Sequence, residues 1–388
     1  MDSEKKNTIL ITCGRGLSPY LQQETERLGY QIDSTHETGL QISATLADTF
    51  RLNVNLRTAF NVLYLLKEFK CTDPRELYEN VFALEWETII PADEYISIVS
   101  SVNTASVNNS VFASQKVKDA IVDRMVKKVS KRPNSGPERD NIVINLYWKD
   151  DRCWLYLNTS GRKLSDRNYR KIPHKAPMQE TLAAGVILST GYTGEGALVN
   201  PMCGSGTLAI EAALIALKRP PGILRNNFGF MHLKNFNRHA WEALRQEALN
   251  NSKKSLAFPI IATDSDEKAI EAAKKNALTA GLSHLIEFSV CDFFDTPIPK
   301  EKGIVILNPE YGERLGEVSQ LEKTYERIGD FFKQKCAGFR GYVFSGNTPL
   351  LKKVGLKPQA KIPFYNAQIE CRLYEYPLYE GSRQNKQQ

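Results

Sequence analysis

Two periodicities divide the first 70 residues into elements. Apolar or alternating runs predict strands, and apolar spacings of three to four residues predict helices. The strands predicted in this way span 8–13, 39–44 and 58–69, and the helices span 18–28 and 46–53. A small α+β unit is the simplest fold that contains these elements.

A second unit follows, from about residue 71 to residue 160. Asp73 before Pro74 is typical of a helix start, because aspartate caps the first turn and proline fits its first position. A further helix is predicted over 112–129. The strands predicted here are 95–102, 141–148 and 153–158, and the last two form a hairpin.

The rest of the chain alternates strands with helices, which is typical of a doubly wound parallel sheet. The predicted strands are 196–200, 259–263, 287–290, 303–307 and 340–345. Helix 207–217 follows the first of them, and a late antiparallel strand is expected over 366–376. The expected fold class is therefore α/β.

Charge is distributed unevenly among these parts. The 388 residues carry a net charge of +7, yet residues 1–99 hold 9 basic and 15 acidic side chains. Residues 100–175 hold 16 basic and 7 acidic side chains, so the positive charge belongs mainly to this middle segment. A concentrated positive segment is typical of a module that binds nucleic acid.

Composition excludes several classes of protein. With 42% hydrophobic and 24% charged residues, the chain is neither disordered nor collagen-like, and its length predicts two to three globular domains. It has no apolar run of about 18 residues, so no membrane span is expected. The seven cysteines are scattered without a C-x-x-C pair, which predicts reduced thiols, a cytoplasmic location and no metal site.

The strongest chemical signal lies between the predicted strand 196–200 and the helix 207–217. The loop there reads Asn200, Pro201, Met202, Cys203, Gly204, Ser205, Gly206 and Thr207. Small residues let a ligand approach the backbone, and a helix amino terminus favours negative charge. No lysine follows the glycines, so the loop is not a P-loop, and an ordinary glycine-rich turn is the alternative.

Acidic residues follow the next two predicted strands. Asp264 is placed to accept hydrogen bonds from the two ribose hydroxyls of a nucleotide. The alternative is that Asp264 or Asp266 caps the following helix, and both roles are compatible if Asp266 is the cap. Asp292 is either an acceptor for an adenine amine or a solvated loop residue.

The fourth of these strands ends in Asn308-Pro309-Glu310-Tyr311. The Asn308 side chain and the Pro309 carbonyl offer two acceptors to one exocyclic amine, and Tyr311 offers a stacking face to a base. The acceptors would turn the nitrogen lone pair toward an electrophilic methyl group, so catalysis would consist mostly of positioning. A proline turn is the alternative.

Together these motifs resemble those of the bacterial THUMP-domain RNA methyltransferases, which include enzymes that form N2-methylguanosine in 23S ribosomal RNA. Further matching segments lie at 160–164, 167–170, 176–183, 221–222, 365–366 and 370–371. The resemblance implies three domains. They are a ferredoxin-like domain at 1–70, a THUMP RNA-binding domain at 71–165 and a Rossmann-like class I methyltransferase domain, with a mostly parallel seven-stranded sheet, at 166–388.

The resemblance also implies a role for individual residues. Those implied to hold S-adenosylmethionine are Asn200, Pro201, Cys203, Gly204, Ser205, Gly206, Thr207, Asp264, Asp292, Glu180 and Thr181. Those implied to hold the target base are Asn308, Pro309 and Tyr311.

Two residues depart from the family's pattern. The family's loop opens with Asp where Asn200 stands, which removes or reduces an anionic contact near the positive end of the cofactor. The family's acceptor motif is N-P-P-Y, and Glu310 replaces its second proline. Both acceptors are kept, but rigidity is lost. The new carboxylate either bonds guanine N1–H and N2–H or points to solvent.

A THUMP domain gives the positive segment a function, because phosphate contacts supply affinity for RNA. A basic helix and the basic segment between the domains would guide RNA toward the catalytic cleft. The alternative for 116–132 alone is a solvated helix face, so the segment between the domains is the better candidate for RNA contact. The residues predicted to contact RNA are Arg162, Lys163, Arg167, Arg170, Lys171, Lys175 and Arg314. Arg314 either binds a phosphate or pairs with Glu313.

The leading hypothesis is an S-adenosylmethionine-dependent enzyme that methylates guanosine N2 in 23S ribosomal RNA. Three alternatives stay open. They are a tRNA guanosine-N2 methyltransferase, a DNA N6-adenine methyltransferase and a non-catalytic RNA-binding assembly factor. Glu310 and Asn200 are the residues that favour the last of these.

Overall fold

The computed structural model describes residues 5–172, 178–311 and 315–380. Its strands are β1 (Asn7–Cys13), β2 (Ile32–His36), β3 (Gly39–Ala44), β4 (Ala59–Lys70), β5 (Tyr95–Asn103), β6 (Asn134–Ser135), β7 (Ile142–Lys149), β8 (Arg152–Asn158), β9 (Ala197–Pro201), β10 (Ile260–Asp264), β11 (Glu287–Val290), β12 (Gly303–Leu307), β13 (Arg340–Ser345), β14 (Ala360–Asn366) and β15 (Ile369–Pro377). Its α-helices are α1 (Ser18–Arg27), α2 (Asp48–Asn55), α3 (Pro74–Phe82), α4 (Ser110–Val129), α5 (Glu180–Ser189), α6 (Thr207–Ala216), α7 (Arg238–Asn250), α8 (Glu267–Thr279), α9 (Leu315–Lys335) and α10 (Thr348–Lys353).

The chain folds into two compact units that do not follow the order of the sequence. The first unit contains the described residues up to Cys13, Leu21–Leu164 and Arg225–Ala248. The second contains Gly14–Tyr20, Ser165–Leu224 and the described residues from Leu249 onward. One division between the units falls between Leu164 and Ser165, and residues 225–248 pack with the first unit. The domain bounds given in the sequence analysis stay predictions.

One sheet runs through the whole first unit, in the order β2-β3-β1-β4-β8-β7-β5-β6. Antiparallel pairing of β4 with β8 joins the strands of the predicted ferredoxin-like and THUMP domains edge to edge. Asp73 caps α3 as predicted, because its side chain accepts hydrogen bonds from the backbone amides of Arg75 and Glu76. The predicted hairpin of β7 and β8 is also confirmed.

The segment 225–248 is fastened to the first unit by hydrogen bonds and aromatic packing. The buried Arg225 donates to the carbonyl oxygens of Lys163, at 2.7 Å, and Ser160, at 3.1 Å. The Phe230 ring stacks on Phe50 with 4.2 Å between their centroids. These contacts explain why the segment belongs to this unit although it follows α6 in the chain.

The sheet of the second unit has the order β11-β10-β9-β12-β13-β15-β14. The pairs from β11 to β13 are parallel, and β15 pairs antiparallel with both β13 and β14. The sequence predicted one late strand where two occur. Strand β14 contains Pro363. An edge strand tolerates proline because one side of the strand has no hydrogen-bonded neighbour.

Burial explains why the central elements form. All residues of β9 and α6 are buried, as expected for a parallel strand and a helix that cover each other. Helix α9 adds Tyr325, Ile328, Phe331 and Phe332 to the core of this unit. Successive strands are added to one side of β9 as far as β11 and to its other side from β12 onward, so the strand order reverses between β9 and β12. Ligands bind at the carboxyl ends of strands beside such a switch point. No helix of the described residues is both long and apolar enough to cross a membrane.

Candidate functional site

The loop between β9 and α6 turns sharply, and part of its backbone is not covered by side chains. Met202, Gly204 and Gly206 have positive φ angles of 56°, 54° and 80°. A methyl group added at Gly206 would lie 3.0 Å from Cβ of Ala273 in α8, whereas one added at Gly204 would meet no atom within 4 Å. Gly206 therefore allows α8 to approach, and Gly204 leaves room for a ligand against the loop.

Asp264, at the end of β10, fixes this loop. Its Oδ2 accepts from the backbone amide of Gly204 at 2.9 Å, and its Oδ1 accepts from that of Asp266 at 3.0 Å. Asp266 caps α8 by accepting from the Lys268 amide at 2.9 Å, so the predicted cap is confirmed. Each carboxylate oxygen has a second acceptor position, which leaves Asp264 able to bind ligand hydroxyls. That role stays a prediction.

Asn200 is completely buried at the end of β9. Its Nδ2 donates to the Ile306 carbonyl of β12 at 2.9 Å. An aspartate has no hydrogen to donate there and would place a charge against that carbonyl, so asparagine suits this position. Its Oδ1 has no hydrogen-bond partner within 5–172, 178–311 and 315–380. A buried acceptor of this kind is normally satisfied by a water or by a ligand.

Arg170 joins the amino terminus of α5 to the glycine loop. Its Nε lies 3.0 Å from Oε1 of Glu180, and its Nη2 donates to Oγ1 of Thr207 at 3.2 Å. Burial raises the pKa of the Glu180 carboxyl, and the Arg170 guanidinium opposes that shift. The buried Thr181 hydroxyl finds no partner in the part of the chain that is described. Arg170 thus links predicted cofactor residues, which differs from the RNA contact predicted for it.

Arg167 forms an ion pair in the interior of the second unit. Its Nε lies 2.8 Å from Oε1 of Glu211, and neither side chain is more than 1% exposed. The Tyr169 hydroxyl donates to the same oxygen at 3.1 Å. Arg167 and Tyr169 are thus buried in the second unit, although the sequence placed them in a linker predicted to contact RNA. Arg167 neutralises a carboxylate that α6 carries into the core, and it presents no charge to RNA.

Asp292, after β11, is partly exposed and has two neighbours. Its Oδ1 accepts from the Phe294 amide at 2.9 Å and lies 2.8 Å from Nη2 of Arg327. The Arg327 guanidinium also stacks over the Phe293 ring at 4.8 Å from its centroid. The ion pair orients the carboxylate but leaves acceptor capacity at this strand end. Binding of an adenine amine by Asp292 stays a prediction.

The acceptor motif follows β12 directly. Asn308 has a solvent-inaccessible Oδ1 that lacks a partner among the described residues, and Pro309 is buried. Glu310 is exposed, and its carbonyl accepts from the Tyr325 hydroxyl at 3.4 Å. The backbone is thus held from α9 at the position where the family has a second proline. The Asn308 oxygen, like that of Asn200 on the neighbouring strand, thus has acceptor capacity for a water or a ligand.

Two other residues predicted to contact RNA lie on the first unit. Arg162 pairs with Asp140 at 2.5 Å between Nε and Oδ1, with both side chains about half exposed. Lys163 lies over the Phe60 ring, 4.9 Å from its centroid, and is exposed. Both cations are accessible to a phosphate, so their RNA contacts stay predictions.

The last three predicted RNA contacts belong to the catalytic part of the sequence. Lys171 is exposed, and its backbone amide donates to Oδ1 of Asn276 at 2.9 Å. Lys175 and Arg314 lie outside the described residues, as does Glu313.

Sequence reasoning missed two contributors to the site. Arg327 lies on α9, and no sequence pattern links it to Asp292, with which it forms an ion pair. Gly346 follows β13, where an added methyl group would lie 3.0 Å from the Tyr311 ring. Gly346 directly follows the predicted strand 340–345, and this position could have identified it as a residue at the strand-end site. Among the described residues, no group of three or more His, Cys, Asp and Glu side chains could hold a metal.

The strand order of the second unit, the glycine loop after β9 and the acceptors after β12 define a class I methyltransferase domain. Family models match the chain in three places: an RlmL ferredoxin-like domain over 8–63, a THUMP domain over 71–158 and an RMKL-like methyltransferase domain over 167–375. The chain belongs to the family of RMKL-like methyltransferases. The resemblance found from the motifs is thereby confirmed.

Individual relatives cover nearly the whole chain. It is 38% identical over 377 residues to ribosomal RNA large subunit methyltransferase K/L of Psychromonas ingrahamii, covering 96% of this chain but only 50% of that protein. It is 33% identical over 368 residues to a candidate RNA methyltransferase of Synechocystis, covering 95% and 96% of the two chains. The chain thus spans about half the length of the K/L relative.

A solved structure has the same fold. The crystal structure of SMU.472, a methyltransferase candidate complexed with SAH, superposes with a TM-score of 0.87 at 25% identity. The match covers 98% of this chain and all of that chain, so the similarity includes both units.

Proposed function

We propose that the protein transfers a methyl group from S-adenosylmethionine to the exocyclic N2 amine of a guanosine in 23S ribosomal RNA. The observation that carries the proposal is the buried, unpartnered Oδ1 of Asn308, beside Pro309 and at the switch point of the sheet. A buried acceptor of this kind is costly unless a substrate donor satisfies it. Asn308 and Pro309 would be the residues that hold the amine.

The loop after β9 fits the cofactor. S-adenosylmethionine, when bound, supplies an electrophilic methyl group. The open backbone at Gly204 admits a ligand, and Asp264 keeps acceptor capacity for ribose hydroxyls. The unpartnered Oδ1 of Asn200 and the Asp292 carboxylate would take donors from the methionine and adenine ends. Asn200 replaces the charge of the family's aspartate with a neutral acceptor.

The chain's own residues would act by holding the amine. Oδ1 of Asn308 and the carbonyl of Pro309 accept its two hydrogens, which leaves the nitrogen lone pair facing the methyl donor. Tyr311 packs its ring on the base and fixes the plane of the purine. Orientation of this kind supplies a large part of the rate, because both reacting groups are already ordered. The choice of guanosine rests on the motif's resemblance to enzymes that form N2-methylguanosine.

RNA as the substrate is supported by the THUMP match and by the charge of the first unit. Lysines and an arginine at and beyond the carboxyl end of α4 are exposed: Lys127, Lys128, Lys131 and Arg132. Such cations attract a phosphate backbone without reading its sequence. The name of the K/L relative favours large-subunit ribosomal RNA. All seven cysteines are free thiols, in keeping with a cytoplasmic site of action.

The choice of substrate is tested with methyl-labelled S-adenosylmethionine and equal amounts of unmodified 23S ribosomal RNA, tRNA and DNA. We expect label chiefly in the 23S RNA, with a rate that falls steeply as salt rises, because phosphate contacts supply the affinity. Labelling of tRNA or DNA instead would contradict the proposed substrate. Binding of RNA without any label would support a non-catalytic role.

Cofactor binding makes a prediction about cysteine reactivity. Cys291, beside Asp292, is the one cysteine that is not buried, so a thiol reagent should modify it first. We expect saturating S-adenosylhomocysteine to slow that reaction by more than about tenfold, because the bound adenosine covers the strand end. Peptide mapping measures the labelling, and the Cys291→Ser variant is the control. Equal labelling with and without the ligand would contradict the placement of the adenine.

A further inference from the structure

We propose that Asn366, at the end of β14 in the hairpin of β14 and β15, is a positioning residue that holds the Tyr311 ring in the orientation needed to stack on the target base. The proposal rests on the proposed function, because Tyr311 has a base to meet only in that reaction. Asn366 itself would not touch the RNA.

A hydrogen bond from the hairpin holds the Tyr311 hydroxyl. Nδ2 of Asn366 donates to the tyrosine oxygen at 3.2 Å. A hydroxyl that accepts from an amide on a paired strand is held toward that strand, so the far end of the ring is anchored at the hairpin.

The Tyr311 ring lies close to the backbone of Gly346. A methyl group added at Gly346 would lie 3.0 Å from both Cδ2 and Cε2 of Tyr311, closer than normal contacts allow. Glycine at this position therefore lets one edge of the ring lie against the end of β13. Tyr311 is only half-buried, so part of the ring is still accessible. The close approach of Gly346 and the hydrogen bond to the hydroxyl together restrict tilting of the Tyr311 ring.

The hairpin has a geometry that suits this role. Asn366 ends β14 and pairs with Ile369, which begins β15, and Ala367 between them has a φ of 55°, in the left-handed region. The Asn366 side chain could have bonded to the turn itself, as asparagines often do. It instead reaches the residue at the end of the acceptor motif. Burial raises the pKa of Tyr311, so its hydroxyl keeps its proton at neutral pH.

A double-mutant cycle tests the proposal on the full chain. The variants are Asn366→Leu, Tyr311→Phe and the pair combined, and the readouts are kcat and KM for RNA. If Asn366 acts through the Tyr311 hydroxyl, each single variant lowers kcat/KM by about tenfold, and the double variant shows the same loss. A loss in the double variant equal to the product of the two single losses would overturn the proposal.

Two further variants separate positioning from folding. Gln368→Leu changes an exposed residue of the same turn and should leave kcat/KM unchanged. Asn366→Asp keeps the size of the side chain but cannot donate, so it should reproduce the loss seen with leucine while the melting temperature and the affinity for S-adenosylhomocysteine stay constant. Full activity of Asn366→Asp would overturn the proposal.

Failure of the underlying function gives a different pattern. If the unmodified protein labels no nucleic acid, the proposed function has failed and the positioning role falls with it. If the protein is active but Tyr311→Ala has wild-type kcat/KM, the base-stacking role is wrong. Activity that falls in Tyr311→Ala while Asn366→Leu matches wild type overturns the positioning role alone.

Discussion

Replacing Asn308 with alanine is expected to lower kcat for methyl transfer by about 100-fold or more while leaving the affinity for S-adenosylhomocysteine within about twofold. In the proposed reaction, Asn308 supplies one of the two acceptors that orient the amine, and that contact would be needed most as the nitrogen attacks. The glycine loop and Asp264, which we propose to hold the cofactor, lie on other strands, so the cofactor would lose no contact. Single-turnover transfer and calorimetric titration measure the two effects separately.

The control for this prediction is Asn251→Ala, which changes an exposed asparagine of the same unit and should alter neither quantity. Two results would contradict the account. If Asn308→Ala keeps more than about a third of the wild-type rate, the amine is held elsewhere. If it loses cofactor affinity as well, Asn308 supports the cofactor loop instead of the base.

Replacing Arg167 with methionine is expected to lower the free energy of unfolding of the second unit by about 3–5 kcal/mol. The change leaves the Glu211 carboxylate buried among apolar residues of α6 without its counter-charge. Adding Glu211→Gln should recover much of the loss, because no charge is then left in the core. Urea denaturation followed by near-UV circular dichroism measures these differences.

Arg372→Met provides the matched surface control. Arg372 pairs with Glu370 at 2.7 Å, but both side chains are about half exposed. Exposed pairs of this kind contribute about 1 kcal/mol or less. If Arg167→Met were no more damaging than Arg372→Met, the interior ion pair would not have the structural role assigned to it, and the original prediction of an RNA contact would regain support.

Arg167 also shows where reading the sequence failed. Its neighbours between 162 and 175 are mostly basic, and a run of charges usually indicates solvent exposure. The partner that draws it inside, Glu211, lies 44 positions later in a helix that otherwise reads as small and apolar residues. An isolated acid in such a helix predicts a buried counter-ion, and that was the available signal.

The strand ends were predictable because order along the chain determines them. In a parallel sheet every strand ends at the same edge, so Asp264, Asp292 and Asn308 had to gather beside the loop that begins at Asn200. Contacts made across the sheet were not predictable in this way. The bond from Asn366 to Tyr311 joins residues 55 apart, and it depends on the pairing of β15 with β13.

The packing of residues 225–248 with the first unit was not predictable for a related reason. Phe230 of this segment stacks on Phe50 of the first unit. The two rings lie 180 positions apart in the sequence, and the residues around one ring do not predict contact with the other. The same limit hid the pairing of β4 with β8, which makes one sheet from two predicted domains.

The central claim is tested most directly by identifying the nucleoside that the protein makes. Purified protein is incubated with methyl-labelled S-adenosylmethionine and unmodified 23S ribosomal RNA, with the Asn308→Ala variant as the blank. The RNA is then digested to nucleosides and analysed by mass spectrometry. We predict that the label is found in N2-methylguanosine with the wild-type protein and is nearly absent with the variant. Label in N6-methyladenosine, or equal label with the variant, would contradict the account.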